Sequence, residues 1–475
     1  MPSQKTRDVL KEVLKEIKPS LEQRKKFNEF SKKILEITNN KASKYRGKAM
    51  IAGSLTRDTW LPSKNEFDVF MIFPKDISEE ELEKYGLEIG KKVIEEMGGS
   101  WKIEYAQHPY VNGNIGDIEV DIVPCFEVKS GEEIQSSVDR TPFHVKYLEK
   151  KLPKQLSDDV RLLKAFLKAN EIYGADTKTE GFSGYICELL VINYGRFVNV
   201  LQSVNEWKPR EIIDIEKYWK KEDYKKIRRN LKDEVLIIID PVDKNRNAAA
   251  AISAEKFYKF KKIAKEFLKK PNKELFSKKV IEPLKKKELD FYIKDRGTEL
   301  LVFKFGKPDV VSDILWPQLR RATKRLEGIL REYEFKVHRS GCWSDEKDNC
   351  VIILEMEISR LPLINEKIGP YVWKEENSKN FIKKYEPIAI NGPYIRDNTW
   401  RVEIKREWKS ASKKLKDSLS DKEEILKEKG LPNYIASEIV EGFEIFANEK
   451  ISDLLKNKEF GIFLRKYFEK ENLNI

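Results

Sequence analysis

The sequence has few cysteines and histidines and no long hydrophobic run. Its 475 residues include 4 cysteines and 3 histidines, and no Cys-x-x-Cys pair accompanies His108, His144 or His338. A zinc site or a disulfide framework is therefore not expected. No apolar stretch approaches the roughly 18 residues that a membrane span requires, so we expect no membrane partner. The N-terminus lacks the unbroken apolar segment of a secretory signal, which predicts a cytoplasmic protein.

Positive charge is in excess. The chain has 92 Lys and Arg against 80 Asp and Glu, a formal net charge of +12. This excess favours a polyanionic partner, and nucleic acid is the natural candidate. With 36% charged residues, the composition is also typical of proteins that work at high temperature. The length predicts roughly three domains.

Residues 1–145 have the pattern of an α/β domain. Short apolar segments at 49–52 and 67–73 predict two buried strands, and the Gly53-Ser54 pair between them predicts a turn into a short helix. Ser78, with Glu81 three residues later, predicts a helix start. Alternating apolar residues predict two further strands, at 101–105 and 118–122.

The remainder of the chain is expected to form two more domains. Helical periodicity at 157–170 and after Ser183 predicts a mainly helical middle domain, residues 146–265. A basic, proline-containing stretch then leads into residues 266–475, for which we expect an α+β region with terminal helices. Its predicted elements are strands at 300–305, 335–337, 351–358 and 400–404, a helix at 319–330, and Lys/Glu-rich helices from about 421.

Three carboxylates are the candidate catalytic residues. Glu66 and Asp68 are two apart, so in a strand they project from the same face. Asp121 has a similar setting and would complete a cluster if its strand were adjacent. Adjacent carboxylates repel one another unless cations neutralise them, and hard divalent ions such as Mg²⁺ take oxygen ligands of this kind. The alternative is that these side chains only decorate solvent-facing strands.

The order of the segments favours the metal interpretation. A buried strand is followed by Gly53-Ser54, where backbone N–H groups and a hydroxyl can approach a phosphate. The carboxylate pair lies on the next strand, and the third carboxylate follows some fifty residues later. Two metal ions in such a site could activate an attacking hydroxyl and stabilise a leaving pyrophosphate.

Long ordered motifs extend over most of the chain. They are Gly-Ser-Leu-Thr-Arg-Asp-Thr-Trp-Leu-Pro (53–62), Glu-Phe-Asp-Val-Phe (66–70), His-Pro-Tyr-Val (108–111), Glu-Val-Asp-Ile-Val-Pro-Cys (119–125), Asp-Arg-Thr-Pro-Phe-His (139–144), Arg-Leu-Leu-Lys-Ala-Phe-Leu-Lys-Ala-Asn (161–170), Ile-Tyr-Gly-Ala (172–175), Gly-Phe-Ser-Gly-Tyr (181–185), Asp-Pro-Val-Asp (240–243) with Arg246-Asn247, and Lys-Pro-Asp (307–309). In these motifs the sequence resembles the archaeal, class I CCA-adding enzymes, tRNA nucleotidyltransferases of the polymerase beta superfamily.

The resemblance implies a polymerase-beta-like nucleotidyltransferase head that adds C, C and A to the 3′ end of tRNA from CTP and ATP. Partners would be the tRNA 3′ end and acceptor stem, with Mg²⁺ as cofactor. Glu66, Asp68 and Asp121 would be the catalytic, metal-binding carboxylates. The residues that would contact the nucleotide are Gly53, Ser54, Arg57, Thr141, His144, Lys164, Tyr173 and Arg246.

Four of these nucleotide contacts have a structural alternative. Without the resemblance, Arg161, Lys164 and Lys168 would be interpreted as a solvated helix face. His144 would be a helix-start or packing residue, and Tyr173 an aromatic at the core edge. Arg246, after Asp243, would form a structural ion pair.

Two other functions compete with CCA addition. One is a related transferase, such as a poly(A) polymerase or an enzyme that modifies a small molecule, because the carboxylates serve phosphoryl chemistry rather than base choice. The other is a catalytically inactive RNA-binding or scaffold protein. The large basic C-terminal half disfavours a small-molecule acceptor, and the presence of all three carboxylates disfavours an inactive protein. Assembly into a homodimer is left open.

Overall fold

The structure is a computed structural model that describes residues 3–62, 65–105, 108–128, 134 and 136–470. The chain divides after Val280 into two compact units, called here the N-terminal unit and the C-terminal unit. Within the described ranges, no helix combines the length and the apolar character needed to cross a membrane. The four cysteines are free thiols, and all but Cys342 are buried.

The N-terminal unit is built from helices around two sheets. The helices are α1 (Gln4–Ile17), α2 (Leu21–Ala42), α3 (Glu79–Glu96), α4 (Thr141–Lys151), α5 (Ser157–Ala169), α6 (Gly184–Tyr194), α7 (Phe197–Glu206), α8 (Tyr224–Asn230) and α9 (Ala254–Lys269). The strands are β1 (Lys48–Ala52), β2 (Glu66–Phe73), β3 (Ser100–Tyr105), β4 (Pro109–Ile115), β5 (Ile118–Phe126), β6 (Glu211–Ile213), β7 (Leu236–Asp240) and β8 (Asp243–Asn247).

The larger sheet has the strand order β1-β2-β5-β4-β3. β2 and β5 are parallel, and the other pairs are antiparallel. Phe67, Val69 and Met71 on one face of β2 are buried in a core to which α2 and α3 contribute. Each such side chain contributes roughly 1.5–3 kcal/mol on burial. This packing fixes which face of β2 carries Glu66 and Asp68.

Serine caps start the helices that flank this sheet. Ser20 and Ser78 each form a capping box, in which the serine hydroxyl accepts from the backbone N–H three residues later. The start at Ser78 confirms the sequence prediction. The short helix predicted after Gly53-Ser54 is wrong: residues 54–58 form a turn that ends at Asp58, whose φ is +53°. A left-handed residue at that point prevents the turn from continuing as a helix.

The strand β4 was not predicted, because Pro109 and the run Asn112-Gly113-Asn114 contain residues that are depleted in strands. The packing of α3 explains one of them. A Cβ on Gly113 would lie 2.4 Å from Cδ1 of Ile94 on α3. Glycine is therefore present because the helix approaches the strand too closely for a side chain.

The middle of the chain is mainly helical, as predicted. α5, α6, α7 and α9 share one apolar core, and the small sheet has the order β6-β7-β8. The helix predicted after Ser183 is α6, and the Ser183 hydroxyl accepts from the Ile186 N–H at 3.2 Å. α6 is apolar on nearly all sides, so the buried Glu188 within it is exceptional.

The C-terminal unit is the α+β region that the sequence predicts. Its helices are α10 (Lys286–Arg296), α11 (Ser312–Glu332), α12 (Glu375–Tyr385), α13 (Ala411–Leu419), α14 (Glu423–Glu428), α15 (Asn433–Glu441) and α16 (Lys458–Phe468). Its strands are β9 (Glu299–Gly306), β10 (Lys336–Ser344), β11 (Asn349–Ile358), β12 (Ile364–Tyr371), β13 (Ala389–Arg396), β14 (Thr399–Lys405) and β15 (Phe443–Ala447). They form two sheets, ordered β10-β11-β9-β15 and β12-β14-β13. The strands β12, β13 and β15 were not predicted.

Candidate functional site

Four carboxylates lie on one face of the large sheet. The parallel register places Asp68 of β2 opposite Asp121 of β5, and Glu66 opposite Glu119. Side chains at paired positions of adjacent strands project from the same face. The cluster predicted from Glu66, Asp68 and Asp121 is therefore present, and Glu119 adds a fourth carboxylate to it.

Asn112 holds two of these carboxylates. It lies opposite Asp121 across the β4–β5 pair, and its Nδ2 donates to Oδ1 of Asp121 at 2.7 Å and to Oε1 of Glu119 at 2.8 Å. Burial raises the pKa of Asp121, and the charges of Asp68, Glu119 and Glu66 raise it further, to about 6, against the lowering effect of the Asn112 amide. The negative charges thus oppose one another within the folded protein.

This donor set fits a divalent cation. Glu66, Asp68 and Asp121 offer only carboxylate oxygens, the ligands that Mg²⁺ and other hard divalent ions prefer. A positive ion would relieve the repulsion that raises the pKa of Asp121.

Gly53 lies against the carboxylate cluster. Its φ is +82°, and a Cβ at this position would stand 2.7 Å from Oδ2 of Asp68. Both the backbone conformation and the space exclude a side chain. The turn that begins at Ser54 can therefore follow β1 directly beside Asp68.

A buried ion network joins this turn to α5 and α6. Nη2 of Arg57 donates to Oε2 of Glu188 at 2.9 Å, and Nζ of Lys164 lies 3.5 Å from Oε1 of Glu188. Nζ of Lys164 also donates to Oγ1 of Thr59 at 3.1 Å. Burial lowers the pKa of Lys164. Burial also acts to raise the pKa of Glu188, but the two cations outweigh it and hold that pKa low.

The solvated-face alternative is wrong for Lys164, whose side chain is 3% exposed. It is also wrong for Arg161, which is completely buried and donates to the backbone oxygen of Trp60 at 2.9 Å. Lys168, by contrast, is exposed. Lys164 and Arg161 are buried because α5 packs against the turn after Gly53.

Asp240 contacts two further predicted residues, His144 and Arg246. Its Oδ2 accepts from Nη1 of Arg246 at 2.6 Å and lies 3.0 Å from Nε2 of His144. Its Oδ1 accepts from the Tyr185 hydroxyl at 3.0 Å. Burial acts to raise the pKa of Asp240, but His144, the Val242 N–H and Arg246 lower it to about 2. The Asp240 carboxylate therefore stays negatively charged at neutral pH.

The ion pair suggested for Arg246 exists, but its partner is Asp240. Asp243 instead lies 3.3 Å from Nε of Arg140. His144, on α4, packs against the ring of Tyr185 with centroids 4.2 Å apart. His144 can both pack against Tyr185 and lie beside a nucleotide, because it also lines the cavity described next.

Most of the predicted residues line one cavity of about 370 Å³. Its walls include Gly53, Ser54, Arg57, Asp68, Thr141, His144, Lys164 and Tyr173. Glu66 and Asp121 lie beside Asp68 on the sheet, and Arg246 is connected through Asp240. Burial raises the pKa of Tyr173, so its hydroxyl stays protonated. A larger cavity of about 590 Å³, lined by α2 and the 55–58 turn, contains none of the four clustered carboxylates.

Sequence reasoning missed the partners of the predicted residues. These are Thr59, Asn112, Glu119, Tyr185, Glu188 and Asp240. One signal was available: Glu188 is a lone acid in the apolar sequence of α6, and a buried charge needs a partner.

Three family models match successive parts of the chain. They are the nucleotidyltransferase domain at residues 31–144, the tRNA nucleotidyltransferase second domain at 158–277, and the CCA-adding enzyme C-terminal domain at 296–448. Among solved structures, a Cid1 poly(U) polymerase is 14% identical with a TM-score of 0.45, covering 58% of this chain and 99% of that one.

Curated relatives extend over most of the chain. The CCA-adding enzyme of Methanocaldococcus jannaschii is 40% identical over 81% of this chain and 85% of its own length. That of Methanosarcina acetivorans is 35% identical over 96% and 97%, and that of Archaeoglobus fulgidus is 34% identical over 94% and 96%. Identity at this level across both units shows that the chain belongs to the archaeal CCA-adding enzyme family, nucleotidyltransferases that use divalent metal ions.

Proposed function

We propose that this protein adds C, C and A to the 3′ end of tRNA, using CTP and ATP and releasing pyrophosphate, without a nucleic-acid template. The observation that carries the proposal is Asp68 lying opposite Asp121 in a chain 34–40% identical to CCA-adding enzymes. The pair supplies the carboxylate cluster that nucleotidyl transfer requires. The matched family extends through the C-terminal unit, which a small-molecule transferase would not need.

Glu66, Asp68 and Asp121 are proposed to hold Mg²⁺. Bound divalent ions would supply positive charge for the attacking 3′-hydroxyl and for the pyrophosphate leaving group. Asn112 orients Asp121 through its 2.7 Å hydrogen bond. Because that bond stabilises the ionised carboxylate, Asn112 also keeps Asp121 ready to bind a cation.

Arg57 and Lys164 are proposed to bind the triphosphate. Both are cations at the cavity wall, and both pair with Glu188. Ser54 and the glycine turn offer a hydroxyl and backbone N–H groups on the same side. Thr141 and Tyr173, which also line the cavity, contribute hydroxyls toward the triphosphate or the sugar.

His144 and Arg246 are proposed to lie around the base. Asp240 orients both side chains by accepting from them. A guanidinium held in this way offers N–H donors in fixed directions, which suits the acceptors on the edges of cytosine and adenine.

The division of labour follows the proposed domains. Residues 1–145 are proposed to form the catalytic head, residues 146–265 a helical domain that contributes to nucleotide and substrate binding, and residues 266–475 the body and tail that bind tRNA. The charge of +12 supports an RNA backbone as partner. A tRNA substrate also agrees with a cytoplasmic location. Pairing of two copies is tested by measuring the mass of the protein in solution.

The decisive experiment supplies the purified protein and Mg²⁺ with tRNA that lacks its 3′ CCA. CTP and ATP are added separately and together, and the product ends are sequenced. We expect two C residues with CTP alone, C-C-A with both nucleotides, and no further addition. Long A tails would identify a polymerase of another specificity.

A matched pair of variants separates catalysis from binding. Asp68→Asn should abolish transfer and leave tRNA binding intact. Asp117→Asn changes an exposed carboxylate in the turn between β4 and β5, which pairs with Lys26, and should leave both unchanged. Loss of tRNA binding in Asp68→Asn would contradict the catalytic role of Asp68, and tight binding without any transfer by the natural chain would identify a binding protein.

A further inference from the structure

A second group of metal-ligand side chains lies away from the clustered carboxylates. Glu79 and Glu83 are in the first two turns of α3, and His108 directly precedes β4. One ligand atom from each residue lies within 4.8 Å of the other two. On β4 it is Asn112 that lies opposite Asp121. His108 is four residues away along that strand, roughly 13 Å at about 3.3 Å per residue.

His108 is a buried polar side chain whose ring nitrogens lack hydrogen-bond partners among the described residues. Its side chain is 5% exposed. Its ring packs edge-on against Phe126, with centroids 6.5 Å apart. A buried polar group without a hydrogen bond destabilises the fold. Nδ1 instead faces the two carboxylates, 3.3 Å from Oε1 of Glu79 and 3.6 Å from Oε1 of Glu83.

The two distances from Nδ1 of His108 match the distance between two ligand atoms of one tetrahedral ion. Ligand atoms at about 2.0–2.2 Å from Zn²⁺, arranged tetrahedrally, are about 3.3–3.6 Å from one another. One imidazole nitrogen with two carboxylate oxygens suits Zn²⁺ and similar borderline ions, whereas Mg²⁺ prefers oxygen ligands alone. Three protein ligands leave the fourth position to water.

The local charges also suit a cation. The N-terminus of a helix disfavours positive charge. Three glutamates, Glu79, Glu80 and Glu81, occupy the first turn of α3 and offset this effect. The Glu79 side chain is 69% exposed and that of Glu83 is 38% exposed. An ion can therefore enter from solvent on the side of the two glutamates, while the buried His108 ring packs against Phe126.

We propose that Glu79, Glu83 and His108 bind one Zn²⁺-class ion, separate from the metal ions of nucleotidyl transfer. The ion ties the start of α3 to the start of β4. No zinc site was expected from the sequence, because it contains no Cys-x-x-Cys pair. Here the ligands come from residues up to 29 positions apart, brought together by the sheet.

The test uses the full chain carrying Asp68→Asn and Asp121→Asn, which weakens the other carboxylate site. The protein is stripped with a chelator and titrated calorimetrically with Zn²⁺ and, separately, with Co²⁺, whose visible absorption reports tetrahedral coordination. We expect one tightly bound ion per chain, a tetrahedral Co²⁺ spectrum and a rise in the melting temperature with Zn²⁺. No binding would overturn the proposal.

Three single substitutions in that background locate the site. Glu79→Gln and His108→Gln should each weaken Zn²⁺ binding by about 10–100-fold or more. Glu80→Gln changes a neighbouring exposed glutamate and should leave binding unchanged. If His108→Gln does not fold, Glu79→Gln carries the test, because that side chain is mostly exposed. Equal Zn²⁺ affinity in Glu79→Gln and Glu80→Gln would refute the assignment.

Discussion

Oε1 of Glu188 lies 3.5 Å from Nζ of Lys164, and both side chains are almost completely buried. The second oxygen of Glu188 accepts from Arg57 at 2.9 Å. One buried anion is thus shared by two cations inside the protein. The side chains of both proposed triphosphate ligands are therefore fixed by the same carboxylate.

Glu188→Gln should destabilise the nucleotide-free protein by about 3 kcal/mol, because it leaves two buried cations without a counter-charge. A triphosphate would replace that charge, so CTP should raise the melting temperature more in the variant than in the natural protein. The control is Glu206→Gln, an exposed position at the end of α7. An equal CTP-induced rise in all three proteins would contradict the role of Glu188.

Asp121 should make the metal-free protein less stable as pH rises. Its pKa is about 6 in the fold against an ordinary value of 3.8, so folding favours its protonated form. The contribution is present in full below about pH 4 and is lost as pH rises through 6. At pH 7.5, with chelator present, Asp121→Asn should therefore be more stable than the natural protein, by up to about 2 kcal/mol.

Urea unfolding between pH 4 and 8 measures this difference. Asp117→Asn is a control whose effect on the pH dependence of stability should have the opposite sign. Asp117 accepts a hydrogen bond from Lys26, which lowers the pKa of Asp117. Mg²⁺ should stabilise the natural protein and not Asp121→Asn, which should also lose nucleotide transfer. A natural protein whose metal-free stability does not change from pH 4 to 8 would exclude the proposed repulsion.

Asp240→Asn should reduce kcat/KM for both nucleotides by about 100-fold, because His144 and Arg246 lose their shared anion. Discrimination against UTP and GTP should also fall. The pKa of Asp240 is about 2 against an ordinary value of 3.8, so its stabilising effect is present above about pH 4 and is lost only as pH falls through 2. The loss in the variant should therefore be uniform from pH 6 to 8. Asp243→Asn, which affects Arg140 instead, should leave nucleotide discrimination unchanged.

The sequence predicted the parts of the site that depend on local pattern. Period-two alternation put Glu66 and Asp68 on one face, and the helical pattern placed Lys164 on α5. The pairing partner of β2 could not be read from periodicity, since alternation fixes the face of a strand and not its neighbour. Asp240 and Glu188 were missed for the same reason: apart from Val242 and Arg246, which lie near Asp240 in the chain, the side chains that contact them are at least 24 positions away. β4 was missed because glycine, proline and asparagine are present there for packing and hydrogen bonding.

Gly53→Ala and Gly98→Ala separate two effects of adding a methyl group. Both glycines have positive φ, +82° and +77°, so both substitutions should cost about 1 kcal/mol of stability. A Cβ at Gly53 would stand 2.7 Å from Oδ2 of Asp68, whereas a Cβ at Gly98 has nothing within 4 Å. Only Gly53→Ala displaces a proposed metal ligand, so only it should lose nucleotide transfer, by about 100-fold for a displacement on the order of 1 Å. Equal activity in the two variants, at matched stability, would show that the contact between Gly53 and Asp68 does not position the carboxylate.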